Sequence, residues 1–111
     1  VGTGTAAISI SDYALATQIA HGTGAGQLDH QGETFGAVSV AGATASFKPK
    51  RVFINSSGAS ITIQELGIYV LAVDTGSVSR YFCIVRDLYA GGFAVPNGGS
   101  ATVEYTVQVT A

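Results

Sequence analysis

Charge is what this sequence has least of. Only seven of its 111 residues are Asp or Glu and five are Lys or Arg, where an ordinary soluble domain of this length carries about 28 charged side chains. A folded monomer of 11.2 kDa exposes roughly 5,700 Å², so each ion serves roughly 470 Å² of surface. Ala, Gly, Ser, Thr and Val cover the rest, which suits contact with copies of the same chain or with a larger shell better than life as a dilute monomer. Nucleic acid is excluded as a partner for the same reason. The net charge is −2, and the one basic cluster, Lys48, Lys50 and Arg51, is too small to hold a phosphate backbone.

Other absences narrow the class further. A single cysteine, Cys83, rules out an internal disulfide framework, and its place in Tyr81-Phe82-Cys83-Ile84-Val85 reads as a small buried hydrophobe. No apolar stretch reaches the ~18 residues of a spanning helix, and nothing resembles a signal peptide, so no membrane partner is expected. The chain opens at Val1 without Met, which fits processing, a piece of a longer polypeptide or omitted first residues equally.

What is present is β-forming. Fifteen glycines punctuate short segments rich in Val, Ile, Thr, Tyr and Phe, a pattern of antiparallel strands and turns. Val103, Tyr105, Val107 and Val109 alternate with polar residues in the last strand, so they face a core while Glu104 faces out. Pro96-Asn97-Gly98-Gly99 supplies the turn before it. Tyr81 to Asp87 is nearly all apolar, predicting cover on both faces, and pairs with Ile61 to Val73 across Asp74-Thr75-Gly76-Ser77. The apolar phase of that long strand slips at Gln64-Glu65, predicting a bulge or a change of sheet. Arg51 to Asn55 is expected to form a hairpin with Ile61 onward. Thr5 to Ile10, Phe35 to Val40 and Ala43 to Phe47 are further strands, and Ser11 is placed to cap one short helix carrying Leu15 and Ile19. The expected fold is a single all-β domain over residues 1–111, an antiparallel two-sheet sandwich, jelly-roll-like or Ig-like, of about seven or eight strands.

Residues suited to chemistry are few, and each has a plain structural reading. The run His21-Gly22-Thr23-Gly24-Ala25-Gly26 lacks the spacing and flanking elements of a dinucleotide loop. His21, Asp29, His30 and Glu33 lack the tight spacing of a metal site. Glu65 and Glu104 are the only pair of carboxylates worth weighing for glycoside chemistry, and the outward phase of Glu104 argues against it. Asn55-Ser56-Ser57 matches a glycosylation acceptor but coincides with a turn. Arg86, closing an apolar strand beside Asp87, is expected to fork onto carbonyls or a carboxylate such as Glu65 and fix register. No catalytic, cofactor or metal residue is assigned.

Taken in order, the segments IAHGTGAGQLDH, RVFINSSGASITIQELGIYV, FCIVRDL and VPNGGSATVEYTVQV resemble a series in structural proteins of tailed bacteriophages. The opening GTGTAAISISDYAL resembles the corresponding leader. Arg51, Phe53, Asn55, Gly58, Glu65, Gly67, Tyr69, Arg86, Asp87, Pro96, Gly98, Gly99, Tyr105 and Thr106 carry the likeness. That resemblance implies a virion location and a role as capsid decoration or cement, or as part of the tail or a fibre, with the major capsid protein or tail proteins as partners. It implies no catalytic residue and no cofactor, so the expectation is a non-enzymatic homo-oligomer.

Within that reading Glu65, Gly67, Arg86, Asp87, Pro96, Gly98 and Gly99 are structural, register-setting positions. Val1, Gly2, Thr3, Gly4 and Thr5 form an expected extended arm. The loop from His21 to Gly36, with Gly22, Gly24, Gly26, Asp29 and His30, is a second partner-reaching segment. The alternative is a host-surface glycan or receptor-binding module, which predicts exposed aromatics such as Tyr13, Tyr69, Tyr89 and Phe93 gathered at one end. A small hydrolase would instead bring His21 or His30 to a carboxylate and a nucleophile.

Overall fold

Nine strands and no helix make up the chain in a computed structural model that describes residues 1–111. They are β1 (Asp29–His30), β2 (Thr34–Phe35), β3 (Ser39–Ala41), β4 (Thr44–Phe47), β5 (Pro49–Ile54), β6 (Ile61–Val73), β7 (Ser79–Val95), β8 (Ser100–Glu104) and β9 (Val107–Thr110). All strand pairs are antiparallel and the architecture is sandwich-like. One sheet is centred on β5, with β8 along one edge and β1 and β2 sharing the other. A second has the order β3-β4-β9, and β6 pairs with β7 alone as a long two-stranded ribbon.

The ribbon follows the sequence pattern closely. Its turn is closed by Asp74, whose Oδ1 accepts the amides of Gly76 (2.9 Å) and Val78 (3.0 Å). The register slips between Ile63 and Glu65, where the phase of the apolar residues changes. Ile63 faces Phe93 while Glu65 faces Leu88, so Tyr89 to Gly92 bulge out of β7. The bulge turns on Gly91 (φ 82°) and Gly92 (φ 71°), a left-handed backbone that side chains with a Cβ resist.

The final alternating segment is two strands. β8 pairs with β5 and β9 with β4, so the chain changes sheet at Tyr105-Thr106, while Val103, Tyr105 and Val107 keep the more buried phase, Glu104 is exposed, and Val109, expected on the core, is exposed as well. The expected hairpin between Arg51–Asn55 and Ile61 does not form: β5 pairs with β8, and Ile61 with Val95. Asn55 is the cause. Its side chain is fully enclosed and donates to the carbonyls of Ala59 (2.8 Å) and Val95 (2.7 Å) while accepting from the Ser57 amide (3.0 Å) and hydroxyl (2.7 Å). Those bonds carry the chain across to the ribbon, and they leave no room for a glycan on Asn55.

The segment Thr5 to Ile10 forms no strand, and Ser11 caps no helix. The Ser11 hydroxyl instead meets that of Ser9 at 2.9 Å. The amides of Leu15, Ala16 and Thr17 are taken by Tyr69 Oη and the Glu65 carboxylate. Leu15 and Ile19 are buried all the same, from an irregular segment.

The core is small and sits at the base of the ribbon. Ile19, Leu28, Phe53, Ile61, Ile63, Val95 and Ala101 form it. Beyond it the strand Tyr81 to Asp87, expected to be covered on both faces, is not: Tyr81, Phe82 and Ile84 are exposed, and Cys83 is half-buried. The surface of 6981 Å² is about 1,300 Å² more than a globule of this mass shows. The radius of gyration, 15.5 Å, likewise exceeds the ~13 Å of a globular chain of this length.

Candidate functional site

Two features stand out on this scaffold, a buried ionic clasp and an apolar cleft. The clasp is built on Glu65, which follows Ile61 and Ile63 on the buried phase of β6 and is 0% exposed. Its Oε1 accepts the amides of Gly4 (3.1 Å) and Thr17 (2.6 Å), and its Oε2 accepts the Ala16 amide (2.9 Å) and Arg86 Nε (3.2 Å). Burial alone raises the pKa of a carboxyl. Here the three amides and the guanidinium outweigh it and hold Glu65 below its ordinary value.

Arg86, with its side chain 4% exposed, reaches past Glu65. Nη1 donates to Asp12 Oδ2 (2.9 Å) and Nη2 to the Ala6 carbonyl (2.8 Å). The Ser9 amide first, and Arg86 after it, hold the Asp12 carboxyl below its ordinary value. This fork joins the ribbon to the N-terminal segment by a planar, multiply bonded contact that Lys cannot reproduce. Gly67 lies opposite Arg86 in the ribbon, and Asp87 is exposed on β7.

The expected N-terminal arm is part of this clasp. Gly2 and Gly4 are buried, and Gly2 exchanges backbone hydrogen bonds with Gln64 and Glu65 while Thr3 bonds Thr17 and Val1 bonds Ile19. A Cβ on Gly2 or Gly4 would run into the Glu65 carboxylate. Val1 and Gly4 are therefore spent on the chain's own fold, and Thr3 and Thr5 alone of this stretch are exposed.

The second expected arm also folds back. Gly22 donates to the Leu28 carbonyl, Gln27 closes a turn on Gly24, Leu28 is fully buried, and β1 and β2 pair with β5. Thr23 to Gly26 at its tip and Gly32 to Gly36 are exposed. His21 and Asp29 meet at 3.7 Å, His21 Nδ1 accepts the His30 amide at 3.0 Å, and the two imidazoles lie 5.3 Å apart. Glu33 is drawn away to Arg51 at 3.4 Å. No group of three or more His, Cys, Asp or Glu side chains converges as metal ligands would.

Pro96, Gly98 and Gly99 form the turn expected of them, docked on Asn55 through backbone bonds from Gly98 N (2.7 Å) and to Gly99 O (2.9 Å). Among the aromatics weighed as a sugar platform, Tyr89 and Phe93 meet edge to face at 6.4 Å across the bulge. Tyr69 is engaged by the Leu15 amide, and Tyr13 stands on the N-terminal loop.

The cleft was not legible in the sequence. It encloses about 660 Å³ between the ribbon and the β5 and β4-β9 strands, with Phe35, Phe47, Phe53, Ile68, Ile84 and Val107 among its walls. Two polar atoms are enclosed at its wall without a hydrogen-bond partner, His30 Nε2 and Tyr105 Oη. Burial first, and then the charge of Arg51, push the His30 pKa down to about 4, so the ring is neutral at pH 7. Burial first, with the nearby Asp87 carboxylate after it, pushes the Tyr105 phenol above its ordinary value. Each of these side chains looks ordinary in sequence; only the folding of eight strands around one space makes them a site. Compared with protein-family models, curated proteins and solved structures, the chain matches none.

Proposed function

We propose that the chain is a non-enzymatic structural subunit of a tailed-bacteriophage particle, a capsid decoration or cement protein that works by packing against copies of itself and against capsid or tail proteins. The observation that carries this reading is the uncovered ribbon. β7 pairs with β6 along one edge and with no other strand along the other, and both faces of its central run expose apolar side chains, Tyr81 at 71% among them. Two-stranded ribbons are marginal in water by themselves, and long apolar edge strands associate. The area in excess of a globule is of the size that protein interfaces bury. The scarcity of charge and the resemblance of the strand and turn motifs to phage structural proteins support the same conclusion.

Light scattering tests it. Interfaces of standard size associate at micromolar concentration or tighter, so at about 100 μM the chain is expected above its monomer mass. Because few ions are involved, raising NaCl should not dissociate it. Replacing Leu71 and Tyr81 by Lys should return it to monomer. A single monomeric species throughout would overturn self-assembly.

A further inference from the structure

The segment Thr5 to Asp12 and the apolar cleft are each incomplete, and in complementary ways. The segment has the alternation of a strand, with Ile8 and Ile10 on one phase, yet it pairs with nothing. Ile10 is as exposed as in an extended peptide, at 107%. The amides of Ala6, Ala7, Ile8 and Ile10 make no hydrogen bond within the chain. The segment is nevertheless held in place. Arg86 binds the Ala6 and Ala7 carbonyls at its root, and Asp12 closes its end by accepting from Arg86 and from the Ser9 amide. An apolar tip on a fixed root loses little conformational freedom on docking.

The cleft offers the converse. Its volume lies in the range of about 300–1,000 Å³ typical of binding sites, and its walls are mainly aromatic and aliphatic. Residues 5 to 12 of the same chain do not line it; they lie against Cys83 to Arg86. Residues 5 to 11 carry no ion and so meet no like charge at the cleft, where Arg51 is paired with Glu33 and Lys50 and the Val1 amine also line the wall.

We infer that the Thr5–Asp12 loop of one copy seats Ile8 and Ile10 in the cleft of a second copy. This rests on the self-assembly reading above and names its contact. The two surfaces differ, so the contact is head-to-tail, and repetition closes a ring if the rotation allows. The surface excess of about 1,300 Å² over a globule leaves each copy about 650 Å² for each half, so one contact buries about 1,300 Å² in total, at the lower end of the range of specific interfaces.

The test uses the full chain with Cys83→Ser. One preparation carries Ile10→Cys and another Val107→Cys, and the two are mixed under mild oxidation. Disulfide-linked dimers are expected in the mixture and at a small fraction of that yield in either preparation alone. Ile10→Asp should weaken association about tenfold or more, the loss of at least 1.4 kcal/mol, without changing the melting temperature of the dilute monomer. If the wild type associates and Ile10→Asp associates equally well, the loop contact is wrong while the self-assembly reading stands. Absence of mixed dimers overturns the contact as well. A wild type that never associates sinks both.

Discussion

Replacing Glu65 by Gln keeps the shape of the side chain and removes its charge, which makes it the sharpest probe of the clasp. The glutamine oxygen can still accept from Gly4 and Thr17, but its amide nitrogen then faces the Ala16 amide and Arg86 Nε, both donors to Glu65 Oε2. Three donors are left without an acceptor in a place water does not reach. Breaking one partner out of a buried ion pair costs about 3–5 kcal/mol. With an unfolding entropy of about 2.1 cal/mol/K per residue, a chain of this length should melt about 13–21 °C lower.

The same carboxylate makes a pH prediction. Its folded pKa lies below the ordinary 4.5, so its stabilisation is complete above that value and is lost as pH falls through the folded pKa. Glu65→Gln should lack this acid-dependent component. Circular dichroism melts of dilute monomer at neutral and acid pH measure both effects. A loss under about 3 °C, well short of 1 kcal/mol for a chain of this size, would refute the clasp. Adding Arg86→Met to Glu65→Gln should restore part of the loss, because the stranded guanidinium is removed with its partner.

Two further substitutions probe the rest of the fold. Asn55→Ala deletes four hydrogen bonds and leaves the Val95 carbonyl enclosed, so urea unfolding should show a loss of about 2–4 kcal/mol, and one below about 1 kcal/mol would contradict the anchoring role. His30 has an ordinary pKa of 6.5 and a folded value of about 4; between those pH values the unfolded chain takes up a proton that the native ring refuses, and stability falls as pH drops. His30→Phe should flatten that slope in urea midpoints, and an unchanged slope would show that His30 is not its source.

The clasp shows where sequence reading stops. The phase slip at Gln64-Glu65 is visible in the order of apolar residues, because a period of two makes any insertion flip the buried face, and the bulge lies there. Arg86 at the end of an apolar run likewise calls for an acceptor. That the acceptor is Glu65 also needs the ribbon register, and the carboxylate's other partners cannot be read at all: they are backbone amides of Gly4, Ala16 and Thr17, 61, 49 and 48 residues away. Every residue but proline has such an amide, so composition marks none of them. The expected helix after Ser11 fails for that reason, since a distant carboxylate satisfies donors that a helix would use internally.

By itself, then, the sequence determined an all-β chain, the ribbon with its turn and bulge, and a surface poor in ions, because periodicity, turn residues and composition are local properties. Only the tertiary structure decided that β5 pairs with β8 and not with β6, that the N-terminus is tucked under Glu65, and that an open apolar cleft lies beneath the ribbon. Those outcomes depend on which distant backbone groups satisfy one another and on how much apolar surface remains once they have done so.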